Sequence, residues 1–563
     1  MTPAGLPDPP PLRGPDTPVS RWLLVGIVLV VAAVCFAIPV LQYGIEIVTR
    51  HRVHRWIPIL GPILGVTWLA MVIEETVRGR RTPIWTAAIV GIAIAILGLH
   101  HGTKGPEALV GKHTRDWSQF HYYLGAKYFP EVGYFDLYSA VLAADDERLA
   151  SGTSNGKKFN WEHIKSARDM HTYKVEDRAT IVGYWDRANA SEARFKELGR
   201  DSRFFRRILG KRRSGNVVKD MGFNPAPPWL LVGRPFAEAF SPGDAGWWLV
   251  SSSDVWMHLI VIASLLWGFG LRTGALCTAW LHCIPLNETL VFGGLFNFAW
   301  LAGLVLGYVA YHKDKPVLAG IAWGISGMFR IFPGLMAMAI VVPAAWDFLR
   351  RRTTNTRRFR FAVTFCVTCA LLLAASHTTG RGLQTWPEWK EKMELHTAHH
   401  PTSGARRVGL GKLARHTPSP RKFWRAPRWV SAEHEAMVDR RKVVVTLVGA
   451  LLLLLAMRGR SDEERVLLLL FAVWILTTSS RYYASAWVLL FTLPQVANRG
   501  SPRFVGRWAP FILLVILAAF YSWGTYAAQY LALNYMALAM FVGMCGLFVL
   551  ARGPQEPAEQ QQG

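Results

Sequence analysis

An all-α polytopic membrane protein is what the sequence predicts, and three observations carry that reading. Of the 563 residues, 51% are hydrophobic and only 18% are charged, with a mean hydropathy of +0.20. Soluble domains run nearer about 25% charged. Apolar runs recur near 22–43, 56–73, 83–99, 247–270, 273–288, 291–311, 316–331, 333–348, 361–376, 442–457, 465–479, 482–496, 508–526 and 530–551. A span takes about 20 residues, so these suggest a bundle of about 12–14 transmembrane helices, several of them short. The third observation is charge: 63 Lys and Arg against 38 Asp and Glu leave a formal +25. These bases fall between the apolar runs, the pattern of cytoplasmic loops and anionic-lipid contacts. Membrane lipids are therefore expected partners, and nucleic acid is not. Disorder, a secreted disulfide scaffold and a cytosolic enzyme are excluded.

The elements follow in order. Residues 1–20 are Pro-rich and read as a disordered cytoplasmic tail. The apolar run from Trp22 has no clear small-residue cleavage site after it, so it reads as an uncleaved first span. N-terminal transmembrane helices occupy 21–99, an outer loop 100–246 and central transmembrane helices 247–376. A second outer loop runs over 377–441, C-terminal transmembrane helices over 442–551 and a disordered tail over 552–563. Cys35, Cys277, Cys283, Cys366, Cys369 and Cys545 all lie in apolar runs, which argues against a disulfide framework or a zinc knuckle.

Orientation comes from the short loops. Arg350, Arg351, Arg352, Arg357, Arg358 and Arg360 share one loop. Arg458, Arg460 and Arg465 lie two spans later, and Arg499, Arg503 and Arg507 two spans after that; Lys313 and Lys315 fall on the same side. The alternate loops hold little beyond Glu288 and Arg481. The positive-inside rule makes the first set cytoplasmic and turns 100–246 and 377–441 outward. The link carrying Arg50, Arg52 and Arg55 disagrees, landing outside in this scheme.

The first outer loop opens on a run of aromatics: Trp117, Phe120, Tyr122, Tyr123, Tyr128, Phe129, Tyr134, Phe135 and Tyr138. Its middle, Asp145 to Asp220, is polar and helix-prone, with basic patches such as Arg206, Arg207, Lys211, Arg212 and Arg213. Aromatic and basic residues together suit short helices lying in the membrane interface. Pro225, Pro227 and Pro228 then stop any helix before the next span.

Few residues carry chemistry. Asp116 opens DWSQFHYYLGAKYF, and helical spacing puts Asp116, Phe120, Tyr123 and Lys127 on one face. With Gln119 three residues on, Asp116 also fits a capping box; one carboxylate can cap and still face a cleft. Arg330 stands between two apolar runs and ahead of Pro333, where a charge is costly and points to function unless it snorkels. Arg481 occupies the same outer level, and two such arginines suit an anionic lipid headgroup or a diphosphate. His377, His396, His399 and His400 lie near Glu388, Glu391 and Glu394, with no catalytic zinc signature among them. Asp145, Asp146 and Glu147 read as the start of a solvated helix. No metal site is expected, and no nucleotide-binding glycine loop is present.

Taken in order, these features resemble the integral-membrane C-type glycosyltransferases, and within them family 87, the polyprenol-phosphate-dependent mannosyltransferases. The resemblance rests on DWSQFHYYLGAKYFPEVGYFDLY from Asp116 to Tyr138, and on Asn224, Pro225, Pro227 and Pro228 entering the next span. It rests further on the Gly293, Gly294, Asn297 turn, on Arg330 with Pro333, and on Arg481, Tyr482 and Tyr483. Arg stands at 330 and 481 where the family pattern has Lys and His.

The resemblance implies a C-type transmembrane bundle, with interfacial helices in a long first outer loop. It implies a hexosyltransferase moving a mannose-like sugar, with inversion, from a polyprenyl-phosphate donor. The acceptor would be a lipid or cell-envelope glycan at the outer face of the plasma membrane. Asp116 would be the general base, and Arg330 and Arg481 would hold the donor phosphate. His113, His121, Tyr122, Tyr123, Lys127, Asn297, His377 and Tyr482 are the candidates for lining the substrate cavity. No cofactor or metal is implied. Other readings are a glycan polymerase or ligase of the same superfamily, a lipid-linked-sugar transporter, and a non-catalytic scaffold.

Overall fold

The computed structural model describes residues 57–78, 81–101, 105–111, 114, 116–151, 160–283, 293–351, 355–399, 407–410, 432–476 and 479–496, with scattered positions from 534 to 549. The expected spans 22–43 and 508–526, both tails and the 44–55 link lie outside these residues. Most of what is described is helix. Three helical segments are long and apolar enough to cross a membrane: Trp247–Cys283, Ile331–Arg350 and Thr356–Thr378. Shorter apolar helices, such as Ala299–His312 and Pro316–Phe329, stand beside them.

Trp247–Cys283 is two helices joined directly at Gly270, where φ is 73° and ψ 175°. The left-handed φ lets the chain reverse, and Gly274 then packs against the Leu266 backbone. One segment therefore holds the apolar run 247–270 and the described part, to Cys283, of the run 273–288. The central helices approach closely through small residues. A Cβ on Gly320 would stand 2.1 Å from Thr364 Oγ1, and one on Gly324 2.7 Å from Thr368 Cβ. Where lipid is as apolar as leucine, such close backbone packing holds helices together.

The two ends of the bundle differ. At one end the turns after Ala299–His312, after Ile331–Trp346 and before Asp462–Leu476 are latched by ion pairs. Arg357 binds Glu463 at 2.8 Å and Asp314 at 3.4 Å; Arg358 binds Asp462 at 2.8 Å and Asp347 at 3.1 Å. The Tyr311 hydroxyl donates to Asp462 at 2.7 Å. His312 stacks on Phe269 beside the Gly270 reversal, and Arg272 in turn binds Glu75 at 2.6 Å. These loops, drawn from distant stretches of chain, thus share one face of the bundle.

The segment expected to form interfacial helices is largely helical. Helices Asp116–Lys127, Leu137–Ala150, Glu192–Val217 and Pro227–Ala239 pack around their own core. An antiparallel hairpin, Ser166–Arg168 with Val175–Asp177, joins them. Phe120, Tyr123, Tyr128, Phe129, Tyr134 and Tyr138 are at most 1% exposed. The aromatics that suggested a membrane interface are the interior of a subdomain, and their density reflects how much area each ring buries. Asp145 corrects another expectation. It is buried near the end of its helix and accepts from the Trp161 backbone N–H at 2.9 Å, with Arg178 and Arg148 each at 3.3 Å.

The second long polar segment docks on this subdomain through helix Thr385–His399. Arg381 binds Glu388 at 2.7 Å and donates to the Pro130 carbonyl at 3.1 Å. His399 stacks on Tyr173 at 5.3 Å, and His400 lies outside the described residues.

Candidate functional site

Arg330 is the hub. It is the residue between helices Pro316–Phe329 and Ile331–Trp346, in extended geometry with φ −147° and ψ 131°. The break lets its side chain leave the bundle axis, and its guanidinium donates to the Tyr122 hydroxyl at 2.8 Å. Tyr122 comes from the Asp116 helix and is held edge-on by Trp229 at 5.3 Å and Phe223 at 6.4 Å. Below Arg330, a cavity of about 10 Å³ is lined by Pro225, Trp229, Phe296, Asn297, Trp300 and Arg330, with Phe329. That is room for about one water.

Tyr482 and Tyr483 also stand near Arg330, their hydroxyls 3.3 Å apart. Tyr483 packs on Phe332 at 4.5 Å and on Trp300 at 5.3 Å. Arg481 opens the 3₁₀ helix Arg481–Thr492, and its side chain lies outside the described part. His113 lies outside it too.

Asn297 owes its place to a clamp. The run Ser251–Asp254 is buried in the apolar helix Trp247–Cys283. The Ser253 hydroxyl donates to the Gly294 carbonyl at 2.9 Å and accepts from the Phe296 N–H at 3.1 Å. Asp254, 0% exposed, accepts from the Phe298 N–H at 3.1 Å. Between these anchors Phe296 adopts φ 51°, a left-handed conformation that a non-glycine residue holds only under constraint. A side chain at Gly294 would collide with the Asn297 amide and the Asp254 carboxylate, each 2.2 Å from its Cβ position.

Asp116 begins its helix and is 7% exposed. Arg213 grips both its oxygens, at 2.5 and 2.6 Å, and the Trp117 N–H donates to one at 2.9 Å. Gln119 reaches instead to the Val250 carbonyl at 3.5 Å, so no reciprocal capping box forms. Six residues separate Asp116 from Tyr122, about 9 Å along the helix and about 120° around it.

The remaining candidates are placed elsewhere. His121 lies in the subdomain core between the Trp117 carbonyl at 3.0 Å and the Tyr138 hydroxyl at 2.8 Å. Lys127 is buried against Asp201 and Glu197, both at 2.8 Å, and bonds Tyr123 at 3.2 Å. His377 meets the Gly382 carbonyl at 3.2 Å. The structure therefore groups Tyr122, Asn297, Arg330 and Tyr482, and turns His121, Tyr123 and Lys127 inward. Sequence reasoning missed Arg213, Ser253, Asp254, Trp229 and Trp300. Only Asp254 left a signal, a carboxylate inside an apolar run.

Residues 225–480 match the model of glycosyltransferase family 87. Over this region the chain is similar to a glycosyltransferase family, which supports transferase activity. No curated protein and no solved structure matches it. The family 87 match covers less than half of the chain. It takes in Pro225, Asn297 and Arg330, and it leaves Asp116, Tyr122, Tyr482 and Tyr483 outside. A transferase family sets aside the transporter and scaffold readings.

Proposed function

We propose that this glycosyltransferase moves a mannose-like hexose from a polyprenyl-phosphate donor to a lipid or cell-envelope glycan acceptor. The transfer would take place at the outer face of the plasma membrane and invert the anomeric carbon. The observation that carries the reading is convergence: Pro225, Asn297 and Arg330, from three separate stretches, line one small cavity, and Tyr122 and Tyr482 stand beside Arg330. Phosphate leaving from the anomeric carbon needs a fixed cation, and a guanidinium at the membrane–water boundary supplies one. A lipid-linked donor would reach that position laterally from the bilayer.

Both key side chains are occupied by protein. Substrates would exchange those partners: the donor phosphate replaces the Tyr122 hydroxyl at Arg330, and the acceptor hydroxyl replaces Arg213 at Asp116. The Arg213 side chain is 54% exposed, so its pair with Asp116 sits where water competes and little is lost on release. The acceptor oxygen then attacks the anomeric carbon as the carbon–oxygen bond to phosphate breaks. The electron pair leaves with the phosphate, and the proton goes to Asp116. A carboxylate is sufficient because the attacking hydroxyl grows more acidic as its bond to carbon forms.

The test is transfer of labelled hexose from a polyprenyl-phosphate donor by the full chain in detergent. Asp116→Asn should lower the rate about 10²–10⁴-fold, with stability changed by less than about 1 kcal/mol. Arg330→Gln should raise the donor KM, and Arg330→Lys should recover part of the loss, a point charge without the fork. An Asp116→Asn protein that melts and transfers like the parent would remove the base assignment.

A further inference from the structure

A second site lies on the outer subdomain, away from Arg330. A groove of about 890 Å³ opens between helices Leu137–Ala150 and Glu192–Val217. Its wall carries Lys196, Arg200, Arg203 and Arg207, spaced to form one stripe of the second helix. Arg148 faces them from the first helix, and Phe195, Phe204 and Pro242 supply apolar surface between.

The charges in this groove are unevenly matched. Lys196 binds Glu192 at 2.9 Å, and Arg200 reaches Glu197 and Asp201. Among the described residues, the side chains of Arg203 and Arg207 have no ion pair or hydrogen bond; Arg207 lies over the Phe204 ring at 5.4 Å. Burial and the neighbouring Arg148 charge hold the half-buried Arg203 below the usual arginine range. The two nearest buried carboxylates are already engaged, Asp145 by Arg178 and Asp201 by Lys127. A stable fold gains nothing from crowding these cations. An anion arriving in the groove would relieve them, and electrostatic complementarity of this kind selects partners.

We propose that this groove binds an anionic saccharide, a phosphate- or carboxylate-bearing part of the acceptor, with its sugar face against Phe204. The proposal rests on the transferase reading only for the word acceptor. Arg203 and Arg213 are ten residues apart on the same helical segment, at most about 15 Å, and Gly210 kinks the segment between them. An acceptor anchored here would reach Asp116 with a sugar a few units further along.

The experiment measures binding of glucose 6-phosphate, glucose and inorganic phosphate to the full-length protein in uncharged detergent, alongside donor hydrolysis. Glucose 6-phosphate should bind, and more tightly than either other probe. Arg203→Gln with Arg207→Gln should weaken it by about tenfold or more, while the rate of donor hydrolysis by water stays at the parental value. Arg207→Gln alone, at an exposed position, keeps the test valid if the double variant does not fold. Equal binding by parent and variants overturns the site, and inorganic phosphate binding as tightly as glucose 6-phosphate overturns its saccharide character. Full displacement of glucose 6-phosphate by phosphatidylglycerol vesicles would assign the groove to lipid headgroups instead. A parent that binds glucose 6-phosphate but neither hydrolyses nor transfers from the donor sinks the transferase reading and leaves the groove standing.

Discussion

At the residue scale, Lys392 on helix Thr385–His399 is a fully buried charge. It is 0% exposed, and its amine meets the Met170 sulfur at 3.0 Å and lies over the Tyr173 ring at 4.8 Å and the Phe135 ring at 5.6 Å. Burial pushes the amine down to about 7, aided by the Arg168 charge and opposed by Asp169 and Asp220. A lysine lowered in the folded state binds fewer protons there than in the unfolded chain. Stability should therefore rise as pH climbs from about 7 towards 10.5 and lose no more from this group well below 7. Lys392→Met, which keeps the length and drops the charge, should flatten that slope. At pH 7 it should leave the melting temperature equal or higher, by on the order of 2 °C. Melting curves across this range decide it; an unchanged slope would mean that other groups set the pH dependence.

At the element scale, the 293–298 turn decides whether Asn297 reaches the cavity. It is held by Ser253 and Asp254 on a buried helix, through Gly294, Phe296 and Phe298. Asp254→Asn retains an acceptor for the Phe298 N–H, whereas Asp254→Ala leaves that donor unpaired in an apolar setting. The alanine variant should lose about 1–3 kcal/mol of stability and raise the donor KM; the asparagine variant should hold most of both. Equal donor KM values for the two variants and the parent would separate the clamp from the site. This element was half legible. Gly293, Gly294 and Asn297 stand out as a motif, but the serines that hold them read only as small residues in a span. Hydrogen bonds between stretches about 40 residues apart leave no periodic trace in a sequence.

At the scale of the whole molecule, the ion-paired turns gather at one end. Arg330 lies at a break between two helices that end on the latched turns, and its tyrosine partner comes from helix Asp116–Lys127. That sorting fits the alternation of basic loops along the chain. In a cysteine-depleted background, Ser154→Cys and Ser403→Cys should react with an impermeant thiol reagent in intact spheroplasts. Arg350→Cys should react only once the membrane is opened. The reverse pattern would invert the orientation and move Asp116 and Arg330 to the cytoplasmic side.

The sequence by itself determined the helical membrane class, the alternation of loops and the short motifs around Asp116, Asn297 and Arg330. Each is written locally, as hydropathy, charge sign or spacing. Tertiary structure decided which of those residues meet. From the one helix that carries Tyr122, Tyr123 and Lys127, it turns Tyr122 toward Arg330 and buries the other two against Asp201. It also set Arg213 on Asp116, 97 residues along the chain, and converted an aromatic run expected at the lipid interface into a subdomain core. Direction around a helix follows from period alone. Which face meets which partner depends on packing between segments far apart in the chain, and no single stretch of sequence encodes it.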